Sequence, residues 1–166
     1  MVWSFPQILG YIAFVVGVVA FSQKIDVRLK AVAALQGLIL SVHFFLLDDF
    51  TAAFLMGVNV LRNISSIFTH SVWVALIFVT IIIGGGYVTA EHWNSYMITA
   101  AQVASTLGLF LLSAVGLRAV FAVSSALWII NNFLTGSIGG VAIETSLFIA
   151  NLVTMIRLQR ERKAAS

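Results

Sequence analysis

The chain is a succession of apolar runs, each about long enough to cross a bilayer, separated by very short polar or charged breaks. Hydrophobic residues make up 61% of its 166 positions and charged residues only 9%. A soluble domain of this length needs a charged surface, and nine Lys or Arg with six Asp or Glu cannot supply one. The bilayer must therefore be the solvent, and in a bilayer such runs fold as spanning helices.

The sequence predicts seven such helices. They cover residues 5–22, 31–47, 51–69, 71–88, 95–113, 118–134 and 139–158. One boundary is weak, because only His70 and Ser71 separate two apolar runs in "FTHSVW". The two runs together are far too long for a single crossing, so we place a break between them.

The distribution of charge supports the count of seven and predicts the orientation. With seven crossings, all the loop and tail cations fall on one side of the membrane: Lys24, Arg28, Lys30, Arg118, Arg157, Arg160, Arg162 and Lys163. The other side receives Asp48, Asp49 and Glu91. By the positive-inside rule, we expect a cytoplasmic C-terminus and an external N-terminus. The start "MVWSFPQ" has no cation before its apolar run, so no cleaved signal peptide is expected.

Several classes of function are excluded or disfavoured by composition. The chain has no cysteine, which excludes disulfides, thiolate metal sites and cysteine nucleophiles. Its net charge of +3 reflects topology, so nucleic acid is not an expected partner. No clustered nucleophile and base or metal motif appears, and the glycine runs lack the context of a phosphate-binding loop. We expect neither enzymatic activity nor a cofactor; a homo-oligomer stays open.

A shift of the chain by 88 positions aligns residues 26–69 with 114–157 without a gap. Lys30 then meets Arg118, His43 meets Asn131, and Asn63 meets Asn151. Three helices, a linker helix and three more helices give both triplets the same direction, which predicts a parallel repeat. The predicted divisions are a first repeat over 1–70, a linker helix over 71–90, a second repeat over 91–158 and a basic cytoplasmic tail over 159–166.

The stretches "SVHFFLL" (41–47) and "NNF" with "GSIGG" (131–140), followed by Glu144, Asn151 and Arg157, resemble the bacterial inner membrane protein YgjV family. The resemblance covers nearly the whole chain. It implies a bacterial inner membrane location and a place in the wider SWEET, SemiSWEET and PQ-loop group, whose 3+1+3 plan agrees with the repeat. Those relatives carry a proline inside the first helix of each repeat. Here Pro6 is the only proline, with Gly10, Gly17 and Gly108 as weaker substitutes for a hinge.

Polar side chains recur on common faces of several predicted helices. Ser124, Trp128, Asn131 and Thr135 follow one face of the sixth helix. Intramembrane amides are costly unless they face a partner or water. We therefore predict a central site for a polar solute, formed by Asn63, Asn151, Trp128, Asn131, His43 and Asn59.

Two interpretations of these residues stay open. The amides are either hydrogen-bonding contacts between helices or ligands of a solute. The SWEET resemblance favours the second, because those carriers have asparagines beside the substrate on the third and seventh helices. Trp128 offers a face for a sugar ring, although its counterpart Leu40 leaves the aromatic clamp incomplete.

Two further ionisable residues fall inside predicted helices. Arg62 either extends its side chain to the cytoplasmic interface or pairs with Glu144 or an anionic solute. A direct pair with Glu144 is disfavoured, because Glu144 lies near the outer end of its helix.

The leading functional hypothesis is an all-α, seven-helix carrier of a small polar solute, sugar-like or another neutral metabolite, which alternates access between the two triplets. The alternative is a receptor or scaffold that binds a ligand or a partner helix without transporting it. The lipid bilayer is the one partner that the composition requires.

Overall fold

The computed structural model describes residues 4–22, 26–69, 71–112 and 114–165. Seven α-helices make up this part of the chain: α1 (Phe5–Ser22), α2 (Asp26–Phe45), α3 (Phe50–Phe68), α4 (Val72–Thr89), α5 (Trp93–Leu111), α6 (Ala114–Leu134) and α7 (Ile138–Ala165). The predicted all-α fold with seven helices is confirmed for these residues. His70 and Lys24, used above to argue the break and the orientation, lie outside the described residues.

Four of the described helices are long and apolar enough to cross a membrane. They are Phe50–Phe68, Val72–Thr89, Val115–Leu134 and Ile138–Glu161. The apolar stretches Phe5–Ala20 and Lys30–Phe45 are shorter. These lengths confirm a membrane protein that crosses the bilayer several times.

The last helix is longer than predicted. It has 28 residues, which at 1.5 Å per residue is about 42 Å, more than the roughly 30 Å of the hydrocarbon layer. The segment predicted as a separate tail from 159 is therefore helical as far as Ala165. Its exposed Arg157 and Glu161 form an ion pair of 3.4 Å, one helical turn apart, of the kind that adds little stability.

The helices pack in a ring. Helix α1 contacts α2 and α7, α2 contacts α3, α3 contacts α5, α5 contacts α6, and α6 contacts α7. Helix α4 stands beside the ring against α3 and α5. Glycines permit this approach, since Gly85 faces the ring of Phe54 and Gly86 faces Thr99. The buried core includes Phe44, Leu55, Ile82, Ile98 and Trp128, whereas many exposed side chains are large and apolar, as a lipid-facing surface requires.

Connections 46–49, 90–92 and 135–137 lie at one end of the bundle, which we call the acidic end because it carries Asp48, Asp49 and Glu91. The opposite end, the basic end, has Arg28 and Lys30 in the first turns of α2. Arg118 lies near the start of α6, and the cations of α7 follow at the same end. The two ends thus differ in charge as the sequence predicts.

Two of the turns at the acidic end have the same backbone form. Asp48 and Gly136 both adopt a left-handed conformation, with φ of 59° and 71°. The Asp49 amide then donates to the Phe44 carbonyl at 3.0 Å, and the Ser137 amide donates to the Asn132 carbonyl at 2.8 Å. A left-handed residue with such a bond is a common way to end a helix.

The residue after each turn caps the next helix. The Asp49 carboxylate accepts from the Ala52 amide at 2.9 Å, and the Ser137 hydroxyl accepts from the Gly140 amide at 3.1 Å. Caps of this kind satisfy amides that would otherwise lack partners at the helix start. Both capping side chains are buried, so the caps also place polar groups inside the bundle.

Candidate solute-binding site

Asn131 of α6 links three helices near the acidic end. Its side chain is fully buried. Its Oδ1 accepts from Nδ2 of Asn94 at 2.7 Å, and its own Nδ2 donates to Oδ2 of Asp49 at 2.9 Å. Asp49 and Asn94 are also buried, so this is a buried polar network joining the starts of α3 and α5 to the end of α6.

His43 of α2 makes a comparable pair of contacts and is fully buried. Its Nδ1 lies 2.6 Å from the Pro6 carbonyl oxygen, and its Nε2 lies 2.6 Å from the Ser137 hydroxyl. Because a carbonyl only accepts, Nδ1 must carry a proton and donate it. In the neutral ring, Nε2 then accepts from Ser137, so both ring nitrogens are satisfied.

These two sets of contacts match each other along the sequence. His43 and Asn131, Asp49 and Ser137, and Pro6 and Asn94 are each 88 positions apart. His43, near the end of α2, contacts the α7 cap residue Ser137 and Pro6 at the start of α1. Asn131, near the end of α6, contacts the α3 cap residue Asp49 and Asn94 at the start of α5. The contacts are therefore reciprocal between the two halves.

Gln7 adds a further tie between α1 and the turn that follows α6. Its Nε2 donates to the Gly136 carbonyl at 2.6 Å, and its Oε1 accepts from the Ile138 amide at 3.2 Å. The side chain is buried. An amide that closes both bonds with backbone groups fixes the position of the first helix against the turn.

A cavity of about 560 Å³ opens at the acidic end beside the Asn131 network. It is lined by Leu47, Asp48, Asp49, Phe50, Thr51, Thr89, Glu91, His92, Trp93, Asn94, Ser95, Leu134 and Thr135. Ligand pockets of proteins commonly measure about 300 to 1,000 Å³, so this volume suits a small solute. Its lining includes three acidic residues and no Lys or Arg, which makes it unfavourable for anions.

The structure does not bring the six predicted site residues together. Asn131 lies in the network beside the cavity and His43 in the second network at the same end of the bundle, and neither side chain lines the cavity. Asn59 lies deeper in α3, where its Oδ1 accepts from Nη2 of Arg62. Trp128 is buried in the core, with its ring centroid 6.0 Å from that of Phe44. It does not line the cavity, so the predicted stacking surface for a sugar is absent there.

Asn63 and Asn151 lie far from Asn131. Each lies thirteen positions after the first residue of its helix. At a rise of 1.5 Å per residue, both asparagines lie about 20 Å from the acidic end. Asn151 accepts from Nη1 of Arg118 at 3.3 Å and donates to the Leu147 carbonyl at 2.9 Å. Asn63 and Asn151 therefore lie at a different depth in the bundle from Asn131, and the contacts of Asn151 among the described residues are those of a helix-to-helix bond.

Of the alternatives for Arg62, the structure does not contain the side chain extended to the interface. Its side chain is only 8% exposed and binds Asn59 and Thr106 inside the bundle. Glu144 lies on α7, which is not a neighbour of α3 in the ring, and its carboxylate interacts with Ser125. Within the described part of the chain the two charges therefore do not pair.

Asp49 and Asn94 are not among the predicted site residues, although both line the cavity. Asp49 was predicted as a loop residue on the outer side, and the polar face of α5 was not predicted. The signal was present, since Ser95, Thr99, Gln102 and Thr106 recur at i, i+4, i+7 and i+11 and all are buried. This is the same spacing that identified the face of Asn131.

Comparison with known proteins agrees with the membrane fold. The family model described as bacterial inner membrane protein (Imp-YgjV) matches residues 4–162. The inner membrane protein YgjV of Escherichia coli (strain K12) is 32% identical over 157 residues, which are 95% of this chain and 86% of the relative. No solved structure matches the chain. On the extent of both matches, the chain belongs to the YgjV family of bacterial inner membrane proteins.

Proposed function

We propose that the chain is a membrane carrier for a small polar solute, which enters through the cavity at the acidic end. The cavity carries this proposal: it has about 560 Å³, opens at one end of a membrane-spanning bundle, and ends on buried polar groups. A protein that only holds its helices together has no need of such a space. We assign it no catalytic role.

The bundle is closed beyond this cavity, as one state of an alternating-access carrier must be. Phe44 and Trp128 pack together in the core. Phe44 lies on α2 and Trp128 on α6, so this contact joins the first three helices to the last three. Opening to the basic end would require it to rearrange, whereas the bonds of Lys30 to Ser66 and of Arg118 to Asn151 lie within one group of three helices each.

We further propose that the chain has the SWEET-like plan of two parallel three-helix repeats, α1–α3 and α5–α7, joined by α4. The reciprocal contacts of His43 and Asn131 support this plan, because two repeats related by a two-fold axis would give each half an equivalent set. The equivalent turns at Asp48 and Gly136 support it independently. Carriers built from repeats move one half against the other around a site between them.

The lining of the cavity favours a neutral or cationic polar solute. Asp49 already accepts from Asn131 and from the Ala52 amide, so its carboxylate is held in place and both oxygens are engaged. Trp93 lines the cavity and is 65% exposed, which makes it the aromatic surface available to a sugar-like ring. It replaces Trp128 in that role.

The proposal is tested by flux into proteoliposomes that contain the purified chain. Erythritol, glucose and glycine are added outside separate vesicle samples, and vesicle volume is followed by stopped-flow light scattering. We expect faster swelling than in protein-free vesicles for at least one of the three. Thr135→Trp should abolish this increase, since Thr135 lines the cavity and a large ring would fill it.

Thr154→Trp is the matched control, because the Thr154 hydroxyl donates to the carbonyl of Ala150 in its own helix and the residue does not line the cavity. It should leave flux unchanged. Equal flux in both variants would contradict the proposal. Binding of a solute without flux, lost in Thr135→Trp, would instead support a receptor that uses the same cavity.

A further inference from the structure

Arg62 of α3 is a buried cation whose hydrogen bonds are incomplete. Its Nη1 donates to the Thr106 hydroxyl at 2.6 Å and its Nη2 donates to Oδ1 of Asn59 at 2.6 Å. Its Nε is buried and has no acceptor within the described part of the chain. The Nε–H and a neighbouring Nη–H form the edge by which arginine binds oxyanions with two parallel bonds.

The hydrogen-bonding partners of Arg62 are neutral. Asn59 and Thr106 supply acceptor oxygens but no negative charge, and the ion pair found among the described side chains joins Arg157 to Glu161. Arginine stays protonated in proteins. A buried charge inside a membrane protein normally has a counterion, because an unpaired one is strongly destabilising.

A second donor without an acceptor lies on the facing helix. Gln102 of α5 is 3% exposed, and its Nε2 is buried with no partner among the residues that the structure describes. Gln102 precedes Thr106 by four residues, about 6 Å along the axis, and the Thr106 hydroxyl donates to the Gln102 backbone carbonyl at 2.8 Å. Arg62 and Gln102 therefore leave unpaired N–H groups in the same interface between α3 and α5.

The shared architecture does not require this polar cluster. At the positions 88 residues away, Asn59 corresponds to Leu147, Arg62 to Ala150, Gln102 to Phe14 and Thr106 to Val18. At these positions of the other half, Val18 and Ala150 are exposed, and Phe14 and Leu147 are only partly buried. The other half therefore has no buried polar cluster there, although it shares the turns and contacts at the acidic end.

We propose that Arg62 and Gln102 bind a small anion between α3 and α5, as a counterion that accepts their unpaired N–H groups. The chemical class is a monovalent or divalent anion such as chloride, a carboxylate or phosphate. This site is separate from the solute cavity, whose acidic lining disfavours anions, and it does not depend on whether the chain transports a solute.

The test uses the full chain purified in dodecyl maltoside, a detergent without phosphate. Thermal unfolding is measured while chloride, acetate or phosphate is raised from about 1 to 100 mM, with sodium held constant by a bulky sulfonate. At least one anion should raise the Tm by about 2–4 °C, as expected when a ligand binds only the folded state. Phosphatidylglycerol is added in a parallel series.

Three variants distinguish the site from general salt effects. Arg62→Met should abolish the response and, without added anion, should unfold at or above the temperature of the original chain, because it removes an unpaired buried charge. Gln102→Leu should raise the half-saturating anion concentration about tenfold. Arg157→Gln removes an exposed cation and should leave the response unchanged.

The absence of any anion response in the original chain would overturn the proposal, as would an equal response in Arg62→Met. A response to phosphatidylglycerol alone, lost in Arg62→Met, would support the site and identify lipid phosphate as its anion. If Arg62→Met does not fold, the titration of the original chain and of Gln102→Leu decides. None of these outcomes depends on flux, so failure here leaves the carrier proposal standing.

Discussion

At the scale of single residues, the buried amides have different tasks that depend on their depth. Asn131 joins three helices at the acidic end and holds a carboxylate beside the cavity. Asn151 bonds to Arg118 and to its own helix about three turns deeper. The same type of side chain thus positions a candidate site at Asn131 and stabilises a pair of helices at Asn151.

We predict that Asn131→Leu lowers the free energy of unfolding by about 1–3 kcal/mol, because it leaves Asn94 and one oxygen of Asp49 buried without a partner. Asn94→Leu should be less severe, since it removes one of the two bonds. The double variant should lose less than the sum of the two, as residues in one network do. Reversible unfolding in mixed detergent micelles provides the measurement.

Asn151→Leu serves as the comparison, with an expected loss of about 0.6 kcal/mol, the average for a hydrogen bond between membrane helices. It should also leave solute flux intact. Strict additivity of Asn131→Leu and Asn94→Leu would show that the three side chains do not act as one network. A loss of flux in Asn151→Leu would return the deeper position to the solute pathway.

Sequence patterns found His43 and Asn131 but not their partners. Helical spacing and the shift of 88 positions identify them, because both patterns are present in the sequence itself. Asp49 and Ser137 are partners only through the packing of distant helices. No local sequence pattern separates a capping residue that faces solvent from one that faces the interior, so the sequence did not predict these two partners.

At the scale of helices, close backbone contact between α1 and α7 closes the ring. A methyl group on Gly139 would lie 2.3 Å from the carbonyl carbon and oxygen of Gly10. The two helices therefore meet backbone to backbone at this point. Small residues allow such approaches in membrane helices, where packing replaces the hydrophobic effect as the source of association.

We predict that Gly139→Ala destabilises the protein by about 1–3 kcal/mol, because the added methyl group forces α1 and α7 apart. Gly84→Ala is the matched control, since a methyl group there meets nothing within 4 Å. It should be neutral or stabilise by up to about 1 kcal/mol, through better helix propensity. Thermal unfolding of both variants in one detergent tests the contrast, and equal Tm changes would contradict it.

Helix positions were predictable because bilayer thickness sets their length. The predicted bounds of α1, α3, α4 and α5 agree with the structure to within about two residues at each end. The extension of α7 was missed, since hydropathy ends where charges begin although the helix continues. Residues such as Arg157 and Glu161 favour a helix outside the membrane by pairing one turn apart.

At the scale of the whole molecule, the two halves share their contacts at the acidic end and differ deeper in the bundle. His43 and Asn131 have equivalent partners, whereas Arg62 and Gln102 have apolar counterparts. The two halves therefore share their contacts at the acidic end, but only the interface between α3 and α5 carries the polar cluster of Arg62 and Gln102 among the described residues. We infer that the two halves do not have equal roles. This difference between the halves depends on which polar groups meet in the packed bundle. The spacing of residues along the sequence does not show which groups meet.

The orientation of the molecule follows from the charge difference between its ends: the acidic end should face outward, with the C-terminus in the cytoplasm. Since the chain has no cysteine, single cysteines can report this without background. His92→Cys and Gln159→Cys place a thiol at exposed positions near the acidic end and in the basic part of α7, and neither removes a Lys or Arg. In intact cells, a membrane-impermeant maleimide should label the first, while the second should react only after lysis, because the bilayer separates the two sites. Labelling of both in intact cells, or of Gln159→Cys alone, would exclude this topology, and with it the proposal that the cavity receives its solute from outside.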